Sequence, residues 1–352
     1  MNATNLISLI DLSAAELEEI LSLAAAMKRS PGRYRRSLSG LSLALLFEKP
    51  SLRTRATFEI AMTQLGGASL YFGPGDISLG VRESVPDVAR NLERWVDLIA
   101  ARVFEHQKVI DLAEHAGVPV INALSDELHP CQALADFLTL REHRGSLRDL
   151  QLVYVGDGNN VTYSLMFGGA RLGVHVRAIT PPGYEADPRI VDQAREAAKA
   201  TGARIETGLD VMEGVRGADA VYTDVWASMG KESEAETRRA TFKPYQVNSR
   251  VMDVAGPKAL FMHCLPAHRG EEVTDEVADS DRSVIFDQAE NRLHAQKALM
   301  VLLHTAAARG RTRGRGRSAT RRGSTVRRRA TSKRKPQARR QRGRGKSPRS
   351  RR

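Results

Sequence analysis

Apolar residues recur along the first 308 positions in short blocks separated by stretches of helical period. Ser13 followed by Glu16 has the spacing of a capping box, and Leu17, Ile20, Leu21 and the run from Leu23 to Met27 supply one apolar side, so a helix is predicted near the N-terminus. LSLALLF (41–47), ASLYFG (68–73), VDLIAAR (96–102) and VPVINAL (118–124) read as strands alternating with helices. A second series follows: LQLVYVGD (150–157), VHVRAIT (174–180), DAVYTDVW (219–226) and KALFMHCLP (258–266). The helical stretch CQALADFLTLREH (131–143) and a polar turn separate the two series. The pattern predicts an α/β protein of two lobes, 1–146 and 147–286, each a parallel sheet flanked by helices. A last helix, 287–308, has no strand after it and is expected to return to the first lobe.

Charge changes the picture at one end. The chain of 352 residues has a formal charge of +13, but residues 309–352 hold 21 of its 54 Lys and Arg and no Asp or Glu. That leaves 33 basic against 41 acidic residues over 1–308, a body of charge −8. The basic segment is Arg, Gly, Ser, Thr and Lys with one Val as its large aliphatic residue, so it is expected to be a disordered tail. Cys131 and Cys264 stand far apart and suggest neither a disulfide framework nor a metal site, which fits a reducing, cytoplasmic location. No signal peptide is read at the N-terminus, and no apolar run approaches the roughly 20 residues needed to span a bilayer.

The candidate chemistry begins at FEKPSLRTRATFE, where an apolar strand passes through Pro50 into a helix. Ser51, Leu52, Arg53 and Thr54 occupy the start of that helix, where unpaired N–H groups favour an anion, and Arg53 adds a fork suited to phosphate. Alone, the segment is equally consistent with a capped helix whose arginines face solvent. His129 and Gln132 of HPCQ enter another helix after a strand, and Arg102 closes the strand VDLIAAR. All three fall where ligands collect in open α/β sheets.

Taken with VGDGNN (155–160), DVWASMG (224–230), MHCLP (262–266) and DQAENR (287–292), these segments resemble the ornithine carbamoyltransferases over nearly all of residues 1–308. The resemblance implies transfer of a carbamoyl group from carbamoyl phosphate to the δ-amine of ornithine, without metal or organic cofactor. It makes the first lobe the carbamoyl-phosphate domain and the second the ornithine domain. It places carbamoyl phosphate on Ser51, Leu52, Arg53, Thr54, Arg102, His129, Gln132, Cys264, Leu265 and Arg292, and ornithine on Asn160, Asp224, Ser228 and Met229. Its catalytic candidates are Asp224 and Cys264, which could help remove the amine proton, with Arg102, His129 and Arg292 facing the carbonyl oxygen. It also implies a homotrimer.

Two positions depart from the family pattern. Ser78 stands where many members have Gln, in a loop that in this family reaches a neighbouring subunit, so Ser78 and Arg82 could contribute across a trimer interface, the alternative being an ordinary polar surface loop. Leu52 replaces the more usual Thr, a change of little consequence if its backbone N–H is what binds. A carbamoyltransferase acting on another amine is the alternative within the class, disfavoured by HCLP and SMG. An alternative of another class is a nucleic-acid-associated protein, held without sequence preference by the tail.

Overall fold

The computed structural model describes residues 1–227 and 234–326, with side-chain environments through 310. Helix α1 (Ala14–Arg29) starts at the predicted capping box: the Ser13 hydroxyl accepts from the Glu16 N–H while the Glu16 carboxylate accepts from the Ser13 N–H. Its buried side is Leu17, Ile20, Leu21, Ala24 and Met27.

Strands β1 (Ser42–Phe47), β2 (Ala68–Phe72), β3 (Leu98–Arg102) and β4 (Val120–Leu124) form a parallel sheet in the order β2-β1-β3-β4, joined through α2 (Leu52–Gln64), α3 (Val85–Leu92) and α4 (His106–His115). Helix α5 (Pro130–Arg144) leads to a second parallel sheet. It consists of β5 (Gln151–Val155), β6 (His175–Ile179), β7 (Ile205–Gly208), β8 (Ala220–Thr223) and β9 (Leu260–His263), ordered β7-β6-β5-β8-β9. Around it lie α6 (Asn160–Leu172), α7 (Pro188–Ala198), α8 (Val211–Gly214), α9 (Ala235–Phe242), α10 (Ser249–Ala255) and α11 (Asp275–Ala278). Each predicted strand contains an observed one. Strand β7 is the addition: it lies at a sheet edge with one buried residue, Ile205, so it carries no apolar run to betray it.

Side chains alternate across each strand, which divides the core into layers. Leu43, Leu45 and Phe47 of β1 face one cluster with α1 and α5, while Ala44 and Leu46 face another built on Val88, Val109 and Leu112. The first of these clusters continues without interruption through Phe137 and Leu138 of α5 and Leu165 and Phe167 of α6 to Leu152 and Tyr154 of β5. Both sheets therefore share one apolar interior. Where α6 crosses α5, Gly168 allows the close approach, since a Cβ there would overlap the buried ring of Phe137. Gly168→Ala should destabilise the protein by about 1–3 kcal/mol through overpacking, read as a lower urea midpoint at unchanged slope.

The final helix α12 (Ile285–Val326) inserts Ala295, Leu299, Met300 and Leu303 into the same cluster as Leu17 and Met27 of α1, so it does return to the first sheet's side. Lys28 of α1 donates to Asn291 of α12 at 2.9 Å. By its contacts the chain divides into Met1–Ala308 and Arg309–Arg352, at the composition change. The helical span of α12 runs past that change to Val326. Among the described residues, no helix is long and apolar enough to cross a membrane.

Candidate active site

Strand register brings the candidate residues to common levels. Phe47 pairs with Arg102 and Arg102 with Leu124, while Val155 pairs with Thr223 and Thr223 with His263. In each sheet the strand order reverses beside its first strand, between β1 and β3 and between β5 and β8. Such reversals open crevices at the carboxyl ends of the strands. Ser51 to Thr54 and Arg102 lie at the first reversal, and Asn160 and Asp224 follow the strands of the second.

At the first crevice Ser51 caps α2, its hydroxyl accepting from the Thr54 N–H at 3.3 Å. Leu52 is 80% exposed, so what its position offers the turn is the unpaired N–H of a first helical residue. The buried Thr54 hydroxyl accepts from Arg292 Nη2 at 3.1 Å, and Arg292 Nη1 donates to Gln132 Oε1 at 2.6 Å. Burial pushes Arg102 down to about 10, with Arg292 and Arg53 adding their repulsion. Arg53 is lowered by burial despite the nearby Cys264 and Asp224, and Arg292 is lowered by burial and by Arg53. Three guanidiniums that disfavour one another make a setting suited to an anion.

His129 donates its backbone N–H to the Ser164 hydroxyl at 2.8 Å. Burial, then Arg292, Arg102 and Arg53, hold its ring well below the ordinary imidazole range. The ring is therefore neutral at neutral pH and keeps a single N–H, and its buried Nδ1 has no hydrogen-bond partner among the described residues.

Across the second crevice the Cys264 thiol donates to Asp224 Oδ1 at 2.9 Å. Burial and that carboxylate push the thiol well above its ordinary value, so the sulfur keeps its proton. Asp224 also accepts from Asn159 Nδ2 at 3.1 Å and from the Val225 N–H at 2.8 Å. Asn160, the residue expected on ornithine, donates to the Ser125 carbonyl at 2.7 Å, tying the start of α6 to the loop after β4. Ser228 and Met229 lie outside the described residues. Ser78 and Arg82 are exposed in the loop after β2.

A family model for the carbamoyl-phosphate-binding domain of aspartate/ornithine carbamoyltransferases matches residues 4–142, and one for the Asp/Orn-binding domain matches 148–303. The ornithine carbamoyltransferase of Thermococcus kodakarensis is 53% identical over 301 residues, spanning 85% of this chain and 96% of its own length. The chain belongs to the ornithine carbamoyltransferase family. The solved structure of the Pyrococcus furiosus member superposes with a TM-score of 0.83 at 52% identity, covering 85% of this chain and 96% of that one. The anabolic enzyme of Campylobacter jejuni gives 0.80 at 36% identity, covering 85% and 98%.

Several supports of this family site escaped the sequence. Leu265 adopts φ +59°, and its N–H is held by His263 Nδ1 at 2.8 Å. His263 Nε2 lies 3.2 Å from Glu272, both side chains fully buried, which fixes the proton on Nε2 and leaves Nδ1 to accept. Asp224, His263 and Cys264 bring one donor atom each within 4.8 Å of one another. Both His263 nitrogens are engaged in hydrogen bonds and the thiol donates to Asp224, so the trio forms a hydrogen-bonded turn. Arg238, 3% exposed, donates to Asp157 at 2.7 Å and to the Trp226 carbonyl at 2.9 Å, anchoring the segment after Asp224. A lone Arg in a polar helix gives no sign of such a role.

Proposed function

We propose that the chain transfers the carbamoyl group of carbamoyl phosphate to the δ-amine of L-ornithine, giving L-citrulline and phosphate. What carries this reading is the facing of two charge patterns: guanidiniums that repel one another at one crevice, with Arg53 feeling both Asp224 and Cys264, and the Asp224–Cys264 pair at the other. Phosphate sits on the N–H groups of the α2 start with Arg53. The carbamoyl oxygen meets Arg102, Arg292 and the neutral His129, groups fixed before charge develops. Ser228 and Met229, with Asn160, complete the ornithine side on the family pattern.

An alkylammonium with pKa near 10.4 must lose a proton before it can attack. Because Cys264 holds its own proton, Asp224 is the group that draws the ammonium in and takes that proton, and the thiol steadies the carboxylate. The amine nitrogen then bonds to the carbonyl carbon as the bond from that carbon to the phosphate oxygen breaks, the nitrogen gives its surplus proton to the departing phosphate, and hydrogen phosphate leaves onto Arg53 and the turn. None of these steps calls on a cofactor.

We assign the enzyme to a homotrimer, in which the exposed Ser78 and Arg82 reach a neighbour's site, and to the cytoplasm. Residues 1–146 would serve carbamoyl phosphate and 147–286 ornithine. Side-by-side carbamoylation of ornithine, putrescine, aspartate and N-acetylornithine tests the substrate, and a preference for any of the last three sinks the ornithine reading. A chain ending at Ala308 should retain citrulline formation within about twofold, because the described site lies before it. Loss of that activity with nucleic-acid retention intact in the full chain would favour the tail as the working part.

A further inference from the structure

Asp136 is completely buried on α5, one turn beyond Gln132. Its Oδ1 accepts from Gln132 Nε2 at 2.8 Å and from Gln288 Nε2 of α12 at 2.9 Å. An ionised carboxylate only accepts, so each amide must turn its NH₂ toward Asp136 and its oxygen away. The two released oxygens have specific uses. Gln132 Oε1 accepts from Arg292, and Gln288 Oε1 accepts at 2.9 Å from the N–H of His263, the residue before Cys264. Were either amide reversed, N–H would face guanidinium or backbone N–H.

We infer that Asp136 is a positioning residue for carbamoyl transfer, orienting two glutamine amides that hold Arg292 at one crevice and the end of β9 at the other. This rests on the assignment of Arg292 and Cys264 to the reacting groups. Neither glutamine could set these orientations alone, since an amide carries donor and acceptor on similar stems.

The charged and titratable groups around Asp136 are Arg292 from α12, Tyr222 from β8 and Cys264 beyond β9. Burial pushes its carboxyl up to about 6, against the pull of Gln288, Gln132, Tyr222 and Arg292. As pH falls through that value Asp136 gains a proton and becomes a poorer acceptor, so transfer weakens toward acid.

The test compares kcat at saturating substrates across pH 5.5 to 9 in three variants, each checked for folding by urea titration. Asp136→Ala should lower kcat about 10- to 100-fold, the effect of two misdirected buried hydrogen bonds, with a smaller change in half-saturating carbamoyl phosphate. Asp136→Asn keeps an oxygen to accept and should recover most of that loss at pH 8, while the inflection near 6 disappears. A folded Asp136→Ala enzyme with wild-type kcat overturns the inference. So does an Asn variant that retains the inflection, or one that matches a folded Ala variant in rate; the Asn arm decides if Ala does not fold. Arg292→Ala is the control: a wild-type rate there overturns the reading of the site itself, whereas a crippled Arg292→Ala beside an active Asp136→Ala overturns only the role of Asp136.

Discussion

Replacing Arg53 with alanine should lower kcat/KM for carbamoyl phosphate by about 10²- to 10³-fold, the usual cost of removing one preorganised donor from a developing charge. Half-saturating ornithine should change little, because the groups around Asp224 are untouched. The structure adds a second readout. Arg53 contributes repulsion to both Arg102 and Arg292, so the unliganded variant should melt no lower than the parent. Carbamoyl phosphate should stabilise the variant far less than it stabilises the parent. Arg53→Lys restores charge without the planar fork and should fall between the two. Wild-type steady-state kinetics in Arg53→Ala would remove the phosphate turn from the site.

Asp224→Asn should cost about 10²- to 10⁴-fold in kcat/KM for ornithine, the range for losing a positioned base. Cys264→Ala should cost less, about tenfold, because a thiol held protonated above its ordinary value supplies a hydrogen bond rather than a base. The distinction is sharpest in the pH profile. Were Cys264 the proton acceptor, its deprotonation would set an alkaline limb that disappears in Cys264→Ala. The protonated thiol predicts that this limb remains, following the ornithine ammonium. A larger loss for Cys264→Ala than for Asp224→Asn would reverse the two roles.

Much of this was legible in the chain because parallel strands write themselves as apolar runs, and eight of the strands were found that way, including the edge strand β2, which keeps its apolar letters although none of its residues is buried. Strand β7, half exposed at an edge, writes nothing comparable. Residues at strand ends were legible because motif letters fix both their identity and their neighbours, as with Ser51 to Arg53 and HPCQ. Relations between distant side chains were not. Nothing in DQAENR says that Gln288 reaches Asp136 on α5, and nothing in GNN says that Asn159 takes Asp224 while Asn160 takes the Ser125 carbonyl. These contacts depend on where helices come to rest, and that is decided by packing. Cys264 shows the same limit: its letter allows a base, while its environment makes it a donor.

The interior shared by the two sheets also bears on how such a chain can be divided. The composition of residues 1–146 and 147–286 invites a cut between them. A cut there would leave Phe137 and Leu138 on one piece and Leu165 and Phe167 on the other, each piece keeping one face of a contact that neither could cover. The two substrate lobes are thus halves of one folding unit, and genes encoding them apart would have to find each other before either had a finished core.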